Sequence, residues 1–323
     1  MKNILILLLL SLGISTCAQA PEKEGLLWKI SGKDLKQPSY LFGTAHGFSG
    51  EFLNKVNGFW EVFDSIQQLV VEMDTANINI NRIDSLMKFY EKDKFLPEGV
   101  KYPDLLDKNE LHTLDSALQN VWGINSNDVK LRPRALYDAI NKQLTINKKL
   151  LDFSMDSIPE NNPIRFMAAL NGGIVMDVYI MNKAKEKGYK IVGLETVEYQ
   201  MKLKMQPDIP LTLDAKSLVA KLKNRQELMK ILGNNAVDAI FTQDLKKYIE
   251  NTNLATSLSD LGDSYINSPI DEIKKRNLNW IPMIELLIQK QPSMIAVGVG
   301  HLPEEYGLIN LLRQRGYEVE QVK

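Results

Sequence analysis

Two apolar runs at opposite ends of the chain close on the same short pattern, Gly43-Thr44-Ala45-His46 and Gly298-Val299-Gly300-His301. Tyr40-Leu41-Phe42 leads into the first and Met294-Ile295-Ala296-Val297 into the second. Short, uninterrupted apolar stretches of this kind read as buried strands. Glycine has no Cβ, so it lets the backbone turn sharply as a strand ends. The histidine three residues later then emerges at the edge where open sheets bind ligands. Only 3 histidines occur in the 323 residues, and two of them complete this pattern. The expectation is that both imidazoles reach one cleft, although most of the chain separates them.

The segments between these runs alternate in period. Leu26-Leu27-Trp28-Lys29-Ile30-Ser31 and Tyr40-Leu41-Phe42-Gly43-Thr44 predict a hairpin, with Gly32-Lys33-Asp34 opening the turn. Residues 51–67 carry Phe52, Val56, Phe59, Trp60 and Phe63 on one helical stripe, and Leu69-Val70-Val71-Glu72-Met73-Asp74 is a short strand ending in acids. This β-α-β opening is expected to set the Glu72 strand beside the His46 strand. Residues 78–169 read as a helical insertion. A helix over 163–187, with Met167, Leu170, Ile174 and Met181 on its stripe, stops at Gly188 before a strand that ends in Glu195. Residues 214–257 and 271–289 are helical again. After the His301 strand come a helix over 304–315, Gly316 and a final strand over 317–322. Alternating strands and helices predict an α/β fold with a mixed, largely parallel central sheet flanked by helices, and with helical insertions at about 78–169 and 200–290.

Lys2, the apolar residues 4–10 and the small-residue stretch Ser15-Thr16-Cys17-Ala18-Gln19-Ala20 have the layout of an export signal. Residues 1–20 are therefore set apart from a single folded unit over 21–323, and an exported, periplasmic or envelope-anchored protein is expected. The lone cysteine, Cys17, is either discarded with the signal or carries a lipid anchor, and either way the body holds no disulfide. Lys+Arg 39 against Asp+Glu 40 leaves a formal charge of -1, which gives no electrostatic footprint for nucleic acid or an anionic membrane. There is no Gly-rich phosphate loop and no GxSxG elbow, and the absence of a cysteine beyond residue 17 weighs against thiol chemistry.

Glu72 and Glu195 both end strands, so their carboxylates can converge with His46 and His301. Two imidazole nitrogens and one or two carboxylates make an open site for Zn²⁺, Mn²⁺, Co²⁺ or Fe²⁺. Each residue has a blander reading: a turn-stabilising histidine, or a strand-end acid paired with a nearby base. Asp74 is a lesser rival to Glu72. Arg276-Asn277, followed by Trp280 on a predicted helix, can present a guanidinium and an amide to the cleft, where the arginine pairs with a carboxylate or stabilises negative charge on a substrate. The plain alternative is a solvated basic face of Lys274, Lys275 and Arg276. His112 reads as an exposed helix residue.

Five marks in order, Leu41-Phe42-Gly43-Thr44-Ala45-His46, Val71-Glu72-Met73-Asp74, Gly193-Leu194-Glu195-Thr196-Val197-Glu198-Tyr199-Gln200, Arg276-Asn277 and Val297-Gly298-Val299-Gly300-His301-Leu302, with Gly307 and Gly316-Tyr317 after them, resemble the TraB/GumN family. That family includes the Tiki metalloproteases and the PrgY pheromone-shutdown proteins. The resemblance runs from about residue 26 to 319. It implies an erythromycin-esterase/ChaN-like fold and a metal-dependent peptidase. In that reading His46 and His301 are metal ligands, Glu72 is a ligand or general base, and Glu195, Arg276 and Asn277 are supporting or substrate-polarising residues. The implied cofactor is a divalent transition metal (Mn, Co or Zn), and the implied partner is a peptide or protein substrate. The sequence departs from the family pattern at Lys275, where many relatives carry an acid, and at Tyr199, which interrupts a Glu-Gln pair. Two other classes compete: an exported protein that sequesters a peptide without cleaving it, and a metal-independent esterase-like hydrolase.

Overall fold

The computed structural model describes residues 25–74, 88, 94–147, 173–205, 209–259 and 269–323. The export-signal segment with Cys17 lies outside them, as does the first part of the helix expected from residue 163, with Met167 and Leu170.

Six strands form one sheet: β1 (Leu27–Ser31), β2 (Ser39–Thr44), β3 (Gln68–Met73), β4 (Lys190–Glu195), β5 (Ser293–Gly298) and β6 (Glu318–Gln321). Their order across the sheet is β4-β3-β5-β2-β1-β6. β4, β3, β5 and β2 run parallel, while β1 is antiparallel to both β2 and β6, so the sheet is mixed and largely parallel as expected. Ser293, Met294, Ile295, Ala296 and Val297 are all buried, as are Leu41, Phe42 and Thr44. Alternate residues of a strand point to opposite faces, so unbroken burial means that both faces of β5 and β2 are covered. One expectation fails here: β3 does not neighbour β2. β5, supplied from near the end of the chain, lies between them and pairs with both. The β-α-β opening is therefore a crossover that leaves a gap one strand wide.

The helices are α1 (Phe59–Ser65), α2 (Lys108–Trp122), α3 (Pro133–Asn147), α4 (Met176–Glu186), α5 (Val197–Met205), α6 (Leu211–Lys223), α7 (Arg225–Leu228), α8 (Ala236–Phe241), α9 (Leu245–Ser259), α10 (Pro269–Lys290) and α11 (Leu308–Gln314). The single helix expected over 51–67 is split. Residues Gly50–Lys55 form a 3₁₀ turn, and Gly58, with φ of 71°, adopts the left-handed conformation before α1. The stripe survives the split, with Phe52, Val56, Phe59 and Phe63 all buried. The long helix expected over 214–257 is likewise broken, by a π-helical stretch over Met229–Asn235 and by Gln243 at φ of 52°.

The core around the sheet gathers β1 to β6 with α1, α4, α10 and α11, for example Phe42, Phe63, Ile180, Ile284 and Leu312. A separate apolar cluster, including Tyr102, Leu114, Leu118, Leu136, Ile140 and Leu218, joins α2, α3 and α6 beyond it. α2 starts on a capping box in which Asp107 accepts from the backbone of Asn109 and Glu110 while Glu110 accepts from the backbone of Asp107. His112 on α2 is exposed, as expected. Among the described residues no helix is long and apolar enough to cross a membrane.

Candidate functional site

Four parallel strands end on one edge and each delivers a predicted residue: His46 just after β2, Glu72 in β3, Glu195 at the end of β4, and His301 in the 3₁₀ turn after β5. Because β5 and β3 are central, the residues meet over the middle of the sheet rather than at its rim. His46, Glu72 and His301, with Arg276 and Gly298, line a cleft of about 420 Å³, and Glu195 lies behind Arg276 outside its lining. Asp74 does not line it.

Arg276, on α10, is the hub. Its Nε donates to Glu195 Oε1 at 2.9 Å and its Nη2 to Glu195 Oε2 at 2.8 Å, a bidentate pair that fixes the plane of the guanidinium. The same Nη2 donates to Glu72 Oε2 at 2.6 Å, and Nη1 lies 3.0 Å from His301 Nε2. The side chain is only 13% exposed, which overturns the solvated-face reading of this arginine. Lys275 on the same helix is exposed, and Lys274 lies over the Tyr306 ring at 3.7 Å. The Arg276 guanidinium also stacks on the Trp280 ring at 4.7 Å, whose Nε1 donates to Glu195 Oε1.

The hydrogen-bond network determines the His301 tautomer. Asn277 is fully buried, and its Nδ2 donates to the carbonyls of His301 at 3.1 Å and Tyr306 at 2.7 Å. Its Oδ1, 2.7 Å from His301 Nδ1, must therefore accept, so the ring proton sits on Nδ1. Nε2 is then a lone pair, and an arginine N–H, which is always a donor, points at it. Burial holds the imidazole neutral, with Arg276 and His46 adding to the effect and Glu72 opposing it, and takes its pKa down to about 4. The 3.7 Å approach of Glu72 Oε1 to His301 Nε2 is consequently not an ion pair at neutral pH. For Glu72, burial pushes the carboxyl up, but His301, Arg276 and the Gly298 N–H outweigh it and hold it at about 2. The Gly298 N–H donates to Glu72 Oε1 at 2.8 Å.

His46 is held in the same manner by a residue absent from the sequence reading. Asp177, in the first turn of α4, accepts from Thr44 Oγ1 at 2.6 Å through one oxygen and lies 2.7 Å from His46 Nδ1 through the other. A carboxylate can only accept here, so Nδ1 of His46 carries the proton and Nε2 faces the cleft. A Cβ added at Gly298 would sit 3.1 Å from Glu72 Oε1, 3.6 Å from His46 Nε2 and 3.8 Å from His301 Cδ2. The three side chains thus surround the bare Cα of one glycine. Gln200 was quoted in the sequence only as part of a motif. Its Nε2 donates to both Glu72 Oε2 and Glu195 Oε2 at 3.1 Å, bridging the two acids from α5.

In donor chemistry the set fits a borderline divalent ion: two imidazoles, each with Nδ1–H tied to an oxygen acceptor as metal-ligating histidines are, and an ionised carboxylate. In spacing it is not closed. Among the described residues no three His, Cys, Asp or Glu side chains converge closely enough to hold an ion. Arg276 stands on two of the donor atoms, His301 Nε2 and Glu72 Oε2.

A family model described as the TraB/PrgY/gumN family matches residues 26–321. No curated protein and no solved structure matches the chain.

Proposed function

With that match spanning nearly all of its described length, the chain belongs to the TraB/PrgY/gumN family, and from this premise we propose that it is a metal-dependent hydrolase of peptide bonds working in the cleft above β2, β3 and β5. One observation carries the reading: both imidazoles commit Nδ1–H to an oxygen behind them, which leaves Nε2 of His46 beside Gly298 and Nε2 of His301 3.7 Å from Glu72 Oε1 at the same cleft. A histidine that merely stabilised a turn would not need its second nitrogen aimed into a cleft beside a second one.

His46 Nε2, His301 Nε2 and Glu72 would hold the ion. When bound, a divalent ion at such a site supplies Lewis acidity. The remaining roles fall to the chain itself. Glu72, held at a pKa of about 2, is ionised at any working pH, which suits a ligand better than a proton acceptor. Asp177 and Asn277 orient the two rings and fix their tautomers. Arg276 is anchored through two bonds to Glu195, so it can release His301 and Glu72 without losing its position. Its Nη groups would then face negative charge developing on a substrate carbonyl. Residues 1–20 support an exported protein, either periplasmic or lipid-anchored at Cys17, and mass spectrometry of the mature N-terminus decides between the two.

The test is calorimetric titration of the purified protein with Mn²⁺, Co²⁺ and Zn²⁺, alongside cleavage of a peptide library with and without chelator. Near-stoichiometric binding that is lost in the His46→Ala, His301→Ala double variant, together with chelator-sensitive cleavage, is the expected result. Absence of binding across about pH 6 to 8, where imidazole is available as a ligand, sinks the metal reading. A second reading draws on Arg276, whose guanidinium already neutralises both acids and occupies His301 Nε2. Such a site can act without an ion, either as a hydrolase with an imidazole as base or as a peptide-sequestering protein. Cleavage that survives exhaustive chelation identifies the former, and tight binding without turnover the latter.

A further inference from the structure

Beside the catalytic cleft lies a second pocket of about 350 Å³, and Tyr248, Thr252, Ile273 and Gly300 line both. These four residues are shared by the two spaces and frame the boundary, or doorway, between them. Gly300 is part of the opening because it has no side chain: a Cβ there would already lie 3.5 Å from Ile273 Cδ1.

The walls of the second pocket are built rather than incidental. One is α9, which contributes Ile249, Asn253 and Thr256, and the other is the loop between His301 and α11, with Pro303 and Tyr306. That loop is clamped at several points. Asn277 donates to the Tyr306 carbonyl with the same Nδ2 that reaches the His301 carbonyl, so one buried amide ties the pocket wall to the catalytic histidine. Asn253 donates to Glu304 at 3.2 Å, linking α9 to the loop. Glu304 itself is held at φ of 70°, a conformation that a side-chain-bearing residue adopts only where its surroundings enforce it. At Gly307, where the loop enters α11, any Cβ would overlap the Pro303 carbonyl. The chemistry of the space is that of an apolar pocket with a polar rim. Aliphatic and aromatic faces from Ile249, Ile273, Pro303 and two tyrosines form the walls, while Lys274 lies across the Tyr306 ring at 3.7 Å. Its volume is at the small end of the roughly 300–1,000 Å³ typical of ligand pockets, ample for one large side chain.

Resting on the peptide-hydrolase reading of the cleft, we infer that this pocket is a specificity subsite: it takes one large apolar side chain, Leu, Met or Phe, of a peptide that threads the doorway in extended form with its scissile bond over Gly298. The subsite and the catalytic histidine are positioned by the same residue, Asn277, so side-chain docking and bond placement are set together.

The experiment uses fluorescent octapeptides with a central reduced (CH₂–NH) bond, which bind but cannot be hydrolysed, varied one position at a time and read by fluorescence polarisation. At one position next to the reduced bond, Leu, Met or Phe is expected to bind at least about ten-fold tighter than Gly or Asp, the scale set by burying a side chain of that size. Thr256→Trp plugs the pocket from α9, and Asn253→Trp, at an exposed position, plugs it from the rim. In whichever of these folds by circular dichroism, the preference should fall below about three-fold. Lack of any apolar preference, a preference that survives both plugs, or no binding at all overturns the inference. Unmodified peptides of the same sequences separate the two claims. Apolar-selective binding without cleavage refutes hydrolysis and leaves the pocket assignment standing, whereas cleavage without selectivity refutes the pocket assignment alone.

Discussion

Replacing Arg276 by methionine keeps most of the aliphatic stem and removes the guanidinium, together with its stacking on Trp280. Arg276 makes three hydrogen bonds to two carboxylates that are 13% and 5% exposed, and a fourth contact to His301. Removing one partner of a buried ion pair costs roughly 3–5 kcal/mol, most of it the penalty of leaving the other charge uncompensated. Here neither acid is stripped bare. Glu72 keeps the Gly298 N–H and Gln200, and Glu195 keeps Trp280 and Gln200. The loss at pH 8 should therefore lie near the lower end, about 3 kcal/mol. It should also depend on pH with a definite sign. Without the guanidinium, only His301 and the Gly298 N–H are left to oppose burial at Glu72, so its folded pKa rises from about 2, and the variant is penalised while the carboxylate is ionised and recovers as pH falls and a proton is taken up. The gap between Arg276→Met and the parent protein in urea denaturation, followed by circular dichroism, should shrink as pH falls through the carboxylate range, from about pH 6 to about pH 3. A loss below about 1 kcal/mol, or one that does not vary over that range, would refute the account of Arg276 as the charge that holds this site together.

Three further outcomes follow from the same geometry. Gly298→Ala places a methyl among Glu72, His46 and His301 at a backbone conformation (φ of −50°, ψ of 135°) open to alanine, but Glu72 Oε1, 3.1 Å from that methyl, must shift, so ion affinity should fall at least ten-fold, read by calorimetry. Asp177→Asn frees the His46 ring to take the other tautomer, and should weaken ion binding by about 10- to 100-fold without unfolding the protein. His301 is depressed from 6.5 to about 4, so its contribution is fully present above pH 6.5 and lost as pH falls towards 4; that is worth about 3 kcal/mol, and His301→Gln should remove this limb from the stability profile and, because protonated His301 also helps hold Glu72 low, shrink the carboxylate limb below it.

The strand-end residues were legible because two physical signals coincided. Short apolar runs identify strands, and parallel strands necessarily deliver their ends to one edge, so His46, Glu72, Glu195 and His301 were found by counting from the last apolar residue. Arg276 and Asn277 had no such support from periodicity; the charge run around them favoured a solvated face, whereas the structure sets them against Glu72, Glu195 and His301. Asp177 could not be read at all. It lies in the first turn of a helix far along the chain from His46, and nothing in its neighbours distinguishes it from a helix-start acid. Gln200 was visible as a letter in a motif but not as a bridge between two acids. Strand order also escaped, because β2 followed by a helix and β3 looks the same whether the strands touch or leave room for another. The helix breaks at Gly58 and Gln243 depend on single backbone torsions that apolar spacing does not register.

β5 pairs with both β2 and β3 although it is the penultimate strand in the chain. During synthesis, everything up to residue 290 emerges while the sheet lacks its middle, leaving two apolar strands with open edges that invite pairing with other chains. Closure must await a stretch made in the last seconds of translation, at roughly 5–20 residues per second. Shortened products of this polypeptide would therefore be both misfolded and sticky, and a nonsense change late in the reading frame would act through aggregation as well as through loss of the folded protein.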